Sequence, residues 1–280
     1  MTESIEATTL NQWYPIHTLS DQPTNGYADR LLGCDIWVSP DGVVEVSSGR
    51  ALPSLRQYRY LWASLGRPKG GLFDLPEALE ADRRVVECGS VLVNASGLRI
   101  VENFLDMAHF PFVHTNILGA EPDTEVRHYA AEIRREVDEV WATECFFYQP
   151  QAAKSASGGI TTEYRYRVMS PFSTLLYKTC PLAADRWDVI CLFVQPLTPG
   201  TCRTHPIMFL IDEDSPTAEL VHFQQLIFLQ DRIILENQRP VLLPLDPARE
   251  IPTRADASSI AYRRWLKEKG VLYGASTAAA

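Results

Sequence analysis

The sequence has no run of lysine and arginine, and acidic residues outnumber basic ones by 35 to 26, for a net charge of −9. The electrostatic footprint of a nucleic-acid-binding surface is therefore missing. No apolar run approaches the roughly 20 residues that span a bilayer. The opening MTESIEATTL lacks the charged-then-apolar pattern of a secretory leader, so a cytoplasmic protein is expected. The 6 cysteines are too widely spaced for a disulfide frame and suit reduced thiols, mostly buried in strands. None of the 6 histidines (His17, His109, His114, His128, His205, His222) lies two residues after a cysteine. The one Cys-x-x-His, Cys202 to His205, follows a Pro-Gly turn and reads as the start of a strand. There are no internal repeats, and low complexity is confined to the final GASTAAA.

What is present is concentrated in ENFLDMAHFPFVH, residues 102–114. Leu98, Val101, Leu105 and Ala108 recur at a helical period, which predicts a helix over 97–110. Asn103, Asp106 and His109 are spaced by three and share a face of it. Pro111 ends or kinks the helix, and His114 can swing back toward the point at which His109 aims. Imidazole is the commonest protein ligand for a transition ion. Asp106, one turn from His109, can accept a hydrogen bond from the ring nitrogen that does not bind metal. The plainer alternative is an amphipathic helix with two surface histidines.

A third ligand is expected from VHFQQLIFLQDRIILENQRP, where Pro216 and Pro240 bracket a helix over 216–239. On its wheel Asp231 stacks with Ile227 and Ile234, and further along with Gln224 and Gln238. A carboxylate on a largely apolar face is costly unless it is paired or metal-bound; an ion pair to a distant arginine is the alternative. His109, His114 and Asp231 together make the two-histidine, one-carboxylate set typical of non-haem Fe(II) oxygenases.

With 46% hydrophobic residues the chain can bury a substantial core. Residues 1–10 read as a flexible arm and 271–280 as a flexible tail. Residues 11–80 read as short strands with turns at Pro40-Asp41-Gly42 and Lys69-Gly70-Gly71, with a helical turn in DLPEALE. Residues 81–270 read as a strand near 85–93, the metal helix, an antiparallel series over 124–211 and the long helix. In that series EYRYRV predicts one wet face, and VICLFV a central strand.

The segment GLRIVENFLDMAHFPFVHTNILG closely resembles the catalytic-domain signature of Rieske non-haem iron oxygenases, and the resemblance continues through QDRIILENQ and TRADASSIAYRRWL. It implies an α+β helix-grip catalytic domain, a curved antiparallel sheet gripping a long helix. His109, His114 and Asp231 match the ligands of a mononuclear Fe(II), and Asp106 the aspartate that links a ligand histidine to the electron donor. Asn103 matches a polar residue beside the iron. NQWYPIHTLSD, RLLGCDIWVSPDG and YRYLWASLGRP resemble the frame of a Rieske domain, with SSGRALPSLRQ where the cluster loops belong. The alternative there is an unrelated β-cap. A Rieske [2Fe-2S] cluster needs Cys-x-His and Cys-x-x-His pairs, so none is expected in this chain.

A separate Rieske-containing reductase, with flavin and NAD(P)H, is then implied as the electron source, together with a trimer-based homo- or hetero-oligomer. Within the family a catalytic chain without Rieske loops resembles the branch that N-demethylates methylxanthines in bacterial caffeine breakdown. The implied reaction takes 7-methylxanthine and dioxygen to xanthine and formaldehyde. Phe104, Phe110, Ile227 and Ile234 are candidate walls for a flat purine, with Gln224 and Gln238 as orienting groups, although both glutamines are equally ordinary helix-surface residues. A different aromatic substrate, O-demethylated or hydroxylated, and a non-catalytic scaffold or ligand-binding subunit stay open.

Overall fold

The computed structural model describes residues 5–21, 23–150, 159–180, 183–211 and 214–277. After one helical turn, α1 (Ala7–Leu10), come β1 (Tyr14–Thr18), β2 (Tyr27–Leu31), β3 (Cys34–Val38), β4 (Val44–Val46), β5 (Ser54–Gln57) and β6 (Tyr60–Ala63). They form two antiparallel sheets, ordered β2-β3-β4 and β1-β6-β5. SSGRALPSLRQ makes a tight turn, with Gly49 at φ 78°, and then β5.

The rest of the chain runs β7 (Arg84–Glu87), β8 (Val91–Val93), α2 (Gly97–Phe104), α3 (Phe110–Val113), β9 (Ala130–Arg134), β10 (Glu139–Gln149), β11 (Ile160–Ser170), β12 (Ser173–Cys180), β13 (Ala183–Thr198), β14 (Thr201–Leu210), α4 (Thr217–Asn237), β15 (Leu243–Pro244), α5 (Ala257–Lys269) and β16 (Ala275–Ser276). Its core is an antiparallel sheet ordered β7-β14-β13-β12-β11-β10-β9, with β8 added to β14. β13 pairs on both sides, as the continuous apolar run VICLFV requires. Tyr60 and Trp62 of β6 pack on Phe193 of β13, with ring centroids 5.7 and 4.9 Å apart. The N-terminal sheets therefore share a core with the main sheet. Among the described residues, no helix is long and apolar enough to cross a membrane.

Four expectations are corrected. The metal helix stops at Phe104 rather than residue 110. The Asp106 carboxylate accepts the backbone N–H groups of Ala108 and His109, which competes with helix continuation. Pro111 then sits in the first turn of α3, where its missing N–H costs nothing. Arg167 in EYRYRV is buried rather than wet, forming two hydrogen bonds to Glu139 (2.8 and 2.6 Å) and lying over Trp141.

The arm is fixed from residue 5 onward. Thr9 is fully buried, and Glu6 accepts the N–H groups of Leu272 and Tyr273. The tail is likewise ordered to Ser276, where β16 pairs with β15. Residues 1–4 and 278–280 lie outside the described residues. Of the six cysteines, five are buried, and Cys34 in β3 is exposed.

Candidate metal centre

The site begins at the N-terminus of α2. Ser96 caps it, accepting Leu98 N–H and donating to the Gly274 carbonyl, which anchors the helix to the C-terminal segment. α2 carries Asn103 and Phe104 to the site. The Asp106 turn and α3 then carry His109, Phe110 and His114, and α4 brings Asp231 from the far side of the chain.

The three expected ligands converge. His109 Nε2 and His114 Nε2 lie 3.2 Å apart, and Asp231 Oδ1 is 3.3 Å from the first and 3.0 Å from the second. Each ring has its other nitrogen engaged. His109 Nδ1 is 2.7 Å from Asp106 Oδ2, and His114 Nδ1 is 2.8 Å from Gln230 Oε1. Both acceptors require the proton on Nδ1, which leaves a lone pair on each Nε2. Asp231 Oδ1 is itself buried and receives no well-aligned hydrogen bond from the described residues. Three lone pairs thus point at one buried spot, an arrangement that repels itself without a cation. The donor set fits a divalent transition metal with coordination positions left open. Among the described residues, no other three histidine, cysteine or acidic side chains come within 4.8 Å of one another in this way.

Electrostatics at the site fit the same need. Burial pushes the His109 imidazole down, but the Asp106 and Asp231 carboxylates beside it outweigh burial and hold it up, at about 9. Burial pushes Asp231 up, and the two imidazoles more than offset that, bringing it to about 2. Asp106 is also held below its ordinary range, because hydrogen bonds from His109 and the Ala108 N–H outweigh its burial. Without metal, a proton on His109 Nε2 takes the cation's place.

A cavity opens beside the triad, lined by Asn103, Phe104, Phe110, Ile227 and Gln224 as expected. Two expectations fail. Ile234 is 50% exposed, because the buried face of α4 runs through Leu220, Phe228, Asp231 and Leu235 and turns Ile234 outward. Gln238 lies beyond the end of α4 with extended backbone, so the helical wheel does not apply to it. It lines a second cleft, with Asn103, Asp106, Glu250 and Arg263. Sequence reasoning missed Gln230, which orients His114. It also missed the sheet wall of the cavity, formed by Gln149, Tyr164, Tyr166 and Lys178. Alternation in STLLYKTC held a signal, since it sets Lys178 on the face of Leu176.

Residues 93–270 match the family of the vanillate O-demethylase oxygenase C-terminal domain. The chain is 47% identical over 272 residues to the protein named "Probable methylxanthine N7-demethylase NdmC" of Pseudomonas sp. (strain TJI-51), covering 95% of this chain and 96% of that one. Methylxanthine N1-demethylase NdmA of Pseudomonas putida is 28% identical over 182 residues, 62% of this chain and 47% of that one. Among solved structures, NdmA of Pseudomonas putida CBB5 superposes with a TM-score of 0.72 at 18% identity, covering 93% of this chain and 90% of that one. Dicamba monooxygenase bound to 3,6-dichlorosalicylic acid superposes at 0.71 with 14% identity, covering 95% and 98%. This chain, a mixed α and β protein, belongs to the vanillate O-demethylase type of Rieske oxygenase catalytic subunits.

Proposed function

We propose that this chain is the catalytic component of a methylxanthine N-demethylase, acting on 7-methylxanthine with electrons from a separate Rieske-containing reductase. The observation that carries the reading is the convergence of His109, His114 and Asp231 in a chain 47% identical to the protein named "Probable methylxanthine N7-demethylase NdmC".

In this reading His109, His114 and Asp231 hold one Fe(II). Bound there, Fe(II) supplies dioxygen activation, so that with two electrons and two protons a methyl C–H becomes C–OH and water is released. The resulting hemiaminal on nitrogen collapses to formaldehyde and the N–H product. Asp106 and Gln230 fix the two imidazoles with their Nε2 lone pairs inward. Phe104, Phe110, Phe223 and Phe228 line the cavity and exclude water from the substrate. Asn103 lines both this cavity and the second cleft, and Asp106 lines the second cleft while touching His109. We place the docking face of the electron donor over that cleft, with Asp106 as the link to the iron.

The helix-grip description suits the layout, with α4 crossing beside the long antiparallel sheet. The paired small sheets suit a Rieske frame without its cluster loops. Three buried donors aimed at one spot speak against a scaffold role, which has no need of them.

The test is formaldehyde release from 7-methylxanthine by the iron-loaded chain with NAD(P)H and a Rieske-containing reductase. Release is expected, and its loss in His114→Ala. No formaldehyde with a reductase that is competent toward a related demethylase contradicts the reading.

A further inference from the structure

Two tyrosines that line the sheet side of the cavity carry hydroxyls with nothing to bond among the described residues. Tyr164 and Tyr166 of β11 are each 1% exposed, and neither Oη has a hydrogen-bond partner among the described residues; Thr162 stands near Tyr164 without a well-formed bond to it. A buried hydroxyl left unpaired costs about 1–3 kcal/mol, so native proteins rarely keep two side by side without use for them. Burial pushes both phenols well above their ordinary range, so both keep the proton and can donate it.

Their neighbours sharpen the chemistry. In the register of the sheet Tyr164 pairs with Lys178, and Tyr166 with Leu176, so these four residues share one face. Lys178 is 8% exposed and pairs in turn with Asp188 on β13. Burial pulls the Lys178 ammonium down to about 8, against the pull of Asp188, which leaves it mainly protonated at neutral pH. The wall is therefore rich in donors. It is also rigidly placed. The two tyrosine rings stack at 6.1 Å, the Phe104 ring meets Tyr166 edge-on at 6.3 Å, and Phe110 meets Tyr164 at 6.1 Å. Phe110 in turn stands 5.0 Å from the His109 ring. One aromatic ring thus separates the donor wall from the metal triad.

We propose that Tyr164 and Tyr166, with Lys178 beside them, are the specificity wall that holds a dioxopurine by its exocyclic carbonyl oxygens and so selects the methyl group presented to the metal. The proposal rests on the methylxanthine reading above. A dioxopurine carries both carbonyls on its six-membered ring, and the N7 methyl belongs to the five-membered ring. Gripping the carbonyls at the wall leaves the imidazole edge to face the triad. The carbonyls also give the two hydroxyls the acceptors they lack.

The experiment is anaerobic equilibrium binding to the Fe(II)-loaded chain, without reductase, for wild type, Tyr164→Phe, Tyr166→Phe and the double variant. The probes are 7-methylxanthine and 7-methylhypoxanthine, which lacks the C2 carbonyl. Each single variant is expected to weaken 7-methylxanthine binding by roughly threefold to tenfold, the value of one hydrogen bond. The double variant is expected to lose less for 7-methylhypoxanthine, which has one carbonyl fewer to lose. Thermal stability is expected to hold or rise in the variants, because an unpaired buried hydroxyl is removed; a purely structural role would lower it instead. Wild-type binding of 7-methylxanthine with unchanged affinity in the double variant overturns the wall alone. Failure of the metal-loaded wild type to bind 7-methylxanthine overturns the demethylase reading, and this proposal with it.

Discussion

His109 sits between two carboxylates, and that decides how metal binding responds to pH. The ring holds its second proton up to about 9 in the metal-free chain. A metal must displace that proton, so affinity rises with pH up to about 9 and levels off above it. Titration of the metal-free chain with Co(II) at pH 7 is expected to release about one proton per metal, and none near pH 10.5. Equal proton release at both values contradicts this arrangement.

Asp106 and Gln230 orient the rings without being ligands in the proposed site, so their loss separates two roles. Asp106→Asn keeps an acceptor for His109 but removes the charge; iron is expected to stay bound while NAD(P)H-coupled turnover disappears. Full coupled activity in that variant contradicts the electron route through Asp106. Gln230→Leu leaves His114 free to rotate and change tautomer, and is expected to weaken metal affinity about 10- to 100-fold, read by competition with a chelator. The converging triad itself was legible in sequence, because two histidines, a proline between them and a carboxylate on an apolar helix are costly residues. Gln230 was not legible, since a glutamine beside an aspartate carries no such cost.

At the scale of elements, the join between α2 and the C-terminal segment rests on Ser96. Ser96→Ala removes the cap of α2 and the bond to Gly274 together, and is expected to cost about 0.5–2 kcal/mol, read by denaturant unfolding. Arg167→Leu strands Glu139 in a buried position, and about 3–5 kcal/mol is expected there. Period and alternation made the strands of the main sheet and the long α4 legible. They failed where a side chain overrode the local pattern. Asp106 took two backbone donors and ended α2 early, and Glu139 drew Arg167 inside. Ile234 was misplaced because α4 is apolar nearly all round, with Leu226, Leu229, Ile233 and Ile234 all on its exposed side. A wheel cannot choose the buried face of such a helix.

Across the whole molecule the triad joins segments more than a hundred residues apart in sequence, and only the fold brings Asp231 to His114. The sheet wall was illegible for a related reason. Its residues come from β10, β11 and β12, and which of their faces lines the cavity depends on where the helices pack. The N-terminal sheets share the core of the main sheet, so deleting them is expected to unfold the protein rather than release a free catalytic unit.

The proposed chemistry needs one mononuclear iron per chain and no cluster. It is tested most directly by measuring iron and acid-labile sulfide on the same anaerobically reconstituted sample. About one iron per chain without sulfide is expected, the metal demand of a single facial triad. Sulfide at the level of a [2Fe-2S] cluster, or no iron at all, contradicts it.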